Sequence, residues 1–304
     1  MRKHELLTST LVFAALAFAT PAYADATPEC NDAANPNTTE CGTNSDASGA
    51  NATALGAGST ASGDFSTAVG VSATASGLGS SATGLGAQAV GFLSSAYGAQ
   101  AFAGEQANAF GVNSSATGFS SIAIGGESAA SGAFSHSIGL FSTATGENSM
   151  AMGGIRTNAT AFNAMAFGAE ANATAENAIS FGAFSRASGV GASAFGTSAL
   201  ALGANSVSIG INSVAAADLS TAMGANALAL GTSSTATGAN SVASGNFSST
   251  YGADSAATGT FSSAYGQAAE STGARSTAIG AESRASGQQS TALGNRSSAS
   301  NVNG

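Results

Sequence analysis

The side chains best suited to covalent, metal or acid–base chemistry are few and widely spaced. Cys30 and Cys41 share a polar, proline-containing segment with no histidine beside them. In an exported chain two neighbouring thiols pair, so a Cys30–Cys41 disulfide is expected there rather than a metal site. His136 stands three residues before Gly139. It would ligate a metal only as a ring of copies about a shared axis, and a hydrogen-bonded structural histidine is the plainer reading. Carboxylates fall mainly one or two residues after a glycine, at Asp64, Glu105, Glu127, Glu147, Glu170, Asp254 and Glu282, with Asp218 after the alanine that takes the glycine position at 217. A calcium site needs several converging oxygens, and one carboxylate per turn supplies a solvated rim instead. No nucleophile–base set or paired carboxylates accompany them. Gly-x-Gly matches such as Gly84-Leu85-Gly86 belong to a repeat and carry no phosphate-binding context. The expectation is therefore no catalytic residue, no cofactor and no resident metal.

What would have to position such groups is itself unusual. The chain has 304 residues with 41 Gly, no Trp, 8% charged residues and a 43% hydrophobic fraction that is mostly alanine. Side chains that small cannot fill the wide interior of a two-layer domain. A formal net charge of −9 repels a phosphate backbone, which sets nucleic acid aside as a partner.

Glycine recurs every seventh residue, from Gly49 through Gly56, Gly63, Gly70, Gly77, Gly84 and Gly91 to Gly98. The register slips by one before Gly104, gains one residue at Gly154, and continues to Gly294. Ala161, Ala175 and Ala217 stand where glycine is expected. Two residues before the repeat glycine the chain almost always has alanine (Ala47, Ala54, Ala61, Ala68), and four before it has Ser or Ala (Ser45, Ala52, Ser59, Ser66). Alternate positions of one character mean a strand with one shared, narrowly packed face.

The opposite face sets the true repeat. Immediately before glycine, apolar and hydroxyl residues take turns (Ser48, Leu55, Ser62, Val69, Ser76), so the unit is fourteen residues. Each unit reads as two short strands joined by glycine-centred turns, and stacked units give an all-β parallel solenoid with an Ala/Ser interior. At about 4.8 Å per coil, roughly eighteen coils make a rod on the order of 85 Å. One outer sheet is expected to carry Ser and Thr and face water. The other carries Leu55, Val69, Phe110, Ile124, Ile138, Phe167, Phe181, Phe195, Ile209, Met223, Tyr251, Tyr265, Ile279 and Leu293. Burying each such side chain is worth about 1.5–3 kcal/mol, so that row calls for a cover, and further copies of the chain are the natural one. Spacing does not choose between two copies and three.

The first residues read as an export signal. Arg2 and Lys3 precede a short apolar run, Leu11 to Ala19, and Ala22-Tyr23-Ala24 has the small-x-small form of a cleavage site. Residues 1–24 are thus the signal peptide and 25–44 a polar segment carrying the disulfide, with the repeats over 45–304. No segment is apolar for long enough to span a bilayer as a helix.

The repeated phrase resembles the YadA-type head of trimeric autotransporter adhesins, whose repeat reads approximately N-S-V-A-I-G-x-x-S. The chain has NSVSIGINS at 205–213, RSTAIGAES at 275–283, NSMAMGG at 148–154 and QSTALG at 289–294. The resemblance implies a left-handed β-roll, three chains about an apolar axis, and a place at the bacterial surface or outer membrane. It implies adhesion to a host extracellular-matrix protein such as collagen, or to a cell-surface ligand. Contacts would fall on Asn205, Ser206, Val207, Ile209, Gly210 and Ser213, with Ser208 departing from the usual alanine. Such heads continue into a stalk and membrane barrel. Here the repeat is still running at Ser297–Gly304, and the expectation is either a piece of a longer protein or a released head.

Three alternatives accompany adhesion. The rod could act as a spacer, could join like heads on neighbouring cells, or could bind ice through Thr143-Ala144-Thr145 and Thr235-Ala236-Thr237, read as hydroxyl-sheet positions. Ala129, Arg186, Val242 and Arg284 at equivalent positions break any regular ice lattice. Phe65, Phe134, Phe141, Phe184, Phe247 and Phe261, each two residues after a glycine, are read as seals between neighbouring chains or as exposed anchors for a ligand.

Overall fold

The computed structural model describes Cys30 and residues 37–302; the leader expected over residues 1–24 and most of the polar segment after it lie outside the described residues. Two or three residues of strand suffice in this fold, because each strand leans on the coil before it and the coil after it. Thr53, Ala54 and Leu55 lie beside Thr67, Ala68 and Val69, fourteen residues on. On the other side of the coil, Thr60 and Ala61 lie beside Thr74 and Ala75. Repeated along the chain, this builds nineteen parallel strands in one sheet and eighteen in a second, alternating with each other in sequence. The result is the parallel β-solenoid of fourteen-residue coils that the glycine spacing predicts.

Backbone polar groups are paired from coil to coil, as burial demands. Thr53 N donates to Ser66 O at 2.9 Å and Gly56 N to Cys41 O at 2.7 Å. The interior is two small side chains thick. Ala54, Ala61, Ala68 and Ala75 are all fully buried, and the bulkiest wholly enclosed side chains are Thr157 and Thr250. Serines fill the corners. At the turn leaving the first sheet, Ser59 Oγ donates to Gly56 O at 2.8 Å, and Ser114 and Ser128 repeat the bond to Gly111 and Gly125. At the return corner the hydroxyls of Ser66, Ser80, Ser121 and Ser135 find no partner.

Where serine replaces the usual interior alanine of a strand, it meets the corner serine five residues later. Ser208 and Ser213 approach to 2.6 Å, Ser137 and Ser142 to 2.7 Å. Ser213 also donates to Gly210 O at 3.0 Å. Ser208→Ala is therefore expected to change stability by less than about 0.5 kcal/mol, whereas Ser213→Ala leaves the Ser208 hydroxyl buried and unpaired, at about 1–3 kcal/mol. Denaturant midpoints of the two variants check this; equal losses would contradict it.

The two turns of each coil differ. After the first sheet every described turn begins at glycine, and the backbone there is left-handed at each one except Gly153, as at Gly210 (φ 134°). After the second sheet the glycine has an ordinary φ. All the exceptions to the glycine rule (Ala161, Ala175, Ala217 and Asn301) fall in this second turn. In both turns the residue two after the glycine is left-handed, with φ of 52° at Asn205 and 57° at Phe65. Asparagine and glycine tolerate that conformation, while a bulky phenylalanine is strained in it.

Both breaks in the periodicity stay local. The short turn at Gly104 changes the spacing to thirteen, so that Ser95 pairs with Asn108, and Asn108 then pairs with Ile122 at fourteen again. The extra residue at Gly154 places Leu140 opposite Ile155 across a bulge, leaving Ile155 and Arg156 exposed.

Three expectations need correction. The stack begins at Thr39, because Thr39–Cys41 already pairs with Thr53–Leu55, and not at residue 45. Thr235–Thr237 lies in the first, apolar sheet beside Thr221–Met223, because its glycine register, and not its hydroxyl character, decides the sheet. The second sheet is not uniformly hydroxyl: Leu200, Val214, Leu228 and Val242 run down its outward column in adjacent strands. Cys30 and Cys41 are joined as a disulfide, which ties Cys30 to the first strand of the stack.

Candidate functional site

The face with most to say about function is the outside of the first sheet. Each strand there points two side chains outward, flanking the buried alanine. The column just before glycine contains the sequence-derived row, aligned in register from Leu55 beside Val69, through Phe167, Phe181 and Phe195, to Ile279 beside Leu293. Tyr97 and Met152 join it, and Thr83 and Thr237 interrupt it.

Aromatic neighbours in this column stack along the rod. Tyr97 and Phe110 have ring centroids 5.1 Å apart, and Tyr251 and Tyr265 5.2 Å. Phe167–Phe181 and Phe181–Phe195 follow at 5.7 and 6.4 Å. Such pairs add about 0.5–1.5 kcal/mol each beyond burial. Within one chain much of the row nonetheless stays exposed, Phe181 by 55%, Ile209 by 42% and Leu293 by 72%, while Leu55, Val69, Ile138 and Phe167 are half-buried.

Sequence reading missed the second outward column of this sheet. Three residues before glycine, Ile122, Met150, Met165, Ile179 and Val207 widen the apolar face over the middle of the rod. The signal was present as apolar residues at that spacing, diluted by Thr and Ser elsewhere in the column. His136 belongs to this column, half-buried between Ile122 and Met150. Among the described residues no three His, Cys, Asp or Glu side chains stand close enough to share a metal ion.

The residues assigned to ligand contact by resemblance do not form one surface. Ser206 and Ser213 are fully buried, so neither can meet a ligand from outside, and Ser208 beside them is part of the buried hydroxyl pair. Val207 and Ile209 face outward on the apolar sheet, and Gly210 begins the turn. Asn205 projects from the return turn, exposed. Sequence reasoning missed Ile211 and Asn212 in the opposite turn, both exposed.

The turns form two polar edges along the rod. Asn212, Asn226, Asn240 and Asp254 link side chain to side chain, each amide donating to the next oxygen at 3.0–3.4 Å. Asp64 and Asp218 do more than keep the rim wet: each accepts the backbone N–H of the matching turn residue one coil earlier, Ala50 and Ala204, at 2.8 Å. Arg296 reaches Glu282 one coil back at 2.8 Å, and that hydrogen bond raises the pKa of its guanidinium. The left-handed phenylalanines lie on these edges, with Phe247 and Phe261 stacked at 4.9 Å and Phe65 64% exposed.

The family model described as YadA head domain repeat (2 copies) matches residues 42–59, 47–70, 61–87, 116–135, 137–154, 159–185, 187–213, 201–227, 224–248, 257–283 and 285–304, more than half of the chain. No curated protein matches it.

Proposed function

The chain belongs to the YadA head repeat family, adhesin-type and exposed at the bacterial surface, and on that premise we propose that it is the ligand-contacting head of an exported homotrimeric adhesin. The observation that carries the reading is the exposed apolar face of the first sheet, which runs along the rod with nothing among the described residues to cover it. Three copies closing on that face would leave outside the polar turn edges and the second sheet, the same few groups repeated about every 4.8 Å.

The target is a host extracellular-matrix protein such as collagen, or a cell-surface ligand. A surface of this kind holds its target by many weak contacts at high effective concentration. Val207 and Ile209 would be covered in the assembly, so of the six residues assigned by resemblance Asn205 is the one whose side chain is left to touch the ligand. Residues 1–24 act as the export signal and 25–38 as a lead-in, tied to the first strand of the stack by the Cys30–Cys41 disulfide. Solid-phase binding of the purified head to collagen, other matrix proteins and epithelial cells tests the assignment. Saturable retention that weakens severalfold in Asn205→Ala is the expected result; retention on none of these surfaces would remove the ligand claim.

A further inference from the structure

The second sheet, which the assembly proposed above would leave uncovered, carries an aliphatic patch that no contact among the described residues explains. Leu200, Val214, Leu228 and Val242 follow one another in its first outward column, and Leu202 and Leu230 stand exposed beside them. Through most of its length that column holds Thr, Ser, Asn, Gln or a charge. Two charges bracket the patch. Arg186, exposed, pairs in register with Leu200 at one end. Glu270 lies beyond Ala256 at the other, where Arg284 of the next coil holds its carboxylate. Among the described residues Arg186 has no ion-pair partner.

The spacing makes this arrangement self-complementary. Arg186 is three coils before Leu228 and Glu270 three coils after it. Consider two rods laid face to face on these sheets, pointing in opposite directions, with a twofold axis through Leu228. Leu228 then meets its own copy, Val214 meets Val242, and Arg186 of each rod meets Glu270 of the other. Both sheets have the same strand spacing, so side chains stay matched over the whole contact, about 29 Å for six steps. Rods pointing the same way would instead bring Arg186 level with the partner's own Arg186. An isologous contact of this kind closes on itself.

We infer that the second sheet is a docking surface for a second copy of this head, joined antiparallel and centred on Leu228. Rods reaching out from two facing surfaces have the required orientation, and several faces per assembly make weak individual contacts additive.

The test is sedimentation velocity on the purified chain across a concentration series. The expected result is a concentration-dependent species heavier than the base assembly. Leu228→Asp, which opposes two carboxylates at the twofold, should abolish it. Arg186→Glu alone places Glu against Glu270 twice, and Glu270→Arg alone places Arg against Arg186 twice, so each should lose at least tenfold in association. An equimolar mixture of these two variants restores opposite charges at both contacts and should regain the heavy species. No heavy species in the wild-type chain, a heavy species that survives Leu228→Asp, or a mixture that behaves as the sum of its components would overturn the inference. The base assembly is read separately, as the mass of the light species, so a failure of the threefold reading and a failure of this one remain distinct.

Discussion

Phe181→Glu is expected to convert the assembled head into single chains. Phe181 stands in the middle of the apolar column, in ring contact with Phe167 and Phe195 on either side, and more than half of it lies in solvent in the isolated chain. Covering such a side chain is worth about 1.5–3 kcal/mol per copy. The substitution removes that from every copy and brings like charges together on a face that excludes water. The chain's own fold should survive, because the side chain points away from the alanine interior. Light scattering at micromolar concentration should therefore show the mass of one chain with an unchanged β-rich circular dichroism spectrum. A full-size assembly in this variant would mean that copies do not meet on the first sheet.

The second large effect separates the two turns. In Gly210→Ala the added methyl must occupy a backbone with φ of 134°, and it would lie 2.4 Å from Gly224 O in the next coil. Strain and collision act together, and the expected loss is about 3 kcal/mol or more. Gly231→Ala meets a neighbouring carbonyl as closely, Gly245 O at 2.2 Å, but its φ is ordinary, and Ala161, Ala175 and Ala217 show that this turn accepts a methyl at the same position. A loss of about 1 kcal/mol is expected there. Urea unfolding of both variants gives the comparison; equal losses would show that collision alone, without backbone handedness, keeps glycine in the turns.

What was legible in the sequence was whatever a fixed spacing expresses. The alanines that almost always stand two before the repeat glycine announced the interior, because a strand alternates faces with a period of two. The change of character just before successive glycines, Ser48 then Leu55, announced that two strands make one coil. The backbone state of the turns was not legible, since the left-handed residue after glycine is Asn at 205 but Phe at 65, and no residue type marks it. Burial at corners was equally hidden. Ser206 and Ser213 read as surface residues of a polar phrase, yet each fills an inside corner where only a small side chain fits. The sheet assignment of Thr235–Thr237 failed because hydroxyl residues occur on both outer faces, and only the count from glycine distinguishes them. The aliphatic column from Leu200 to Val242 was overlooked because a mean over the whole column is polar.

Confinement of the two spacing changes to single turns has a bearing on how such a molecule can change its length. Because the columns realign within one layer after Gly104 and again after Gly154, the gain or loss of a whole fourteen-residue block should shift the far end by one layer and leave every side chain on its original wall. Half a block would exchange the walls and turn the greasy side outward. A gene built this way can adjust reach in small, safe increments, provided that it counts in pairs of glycines.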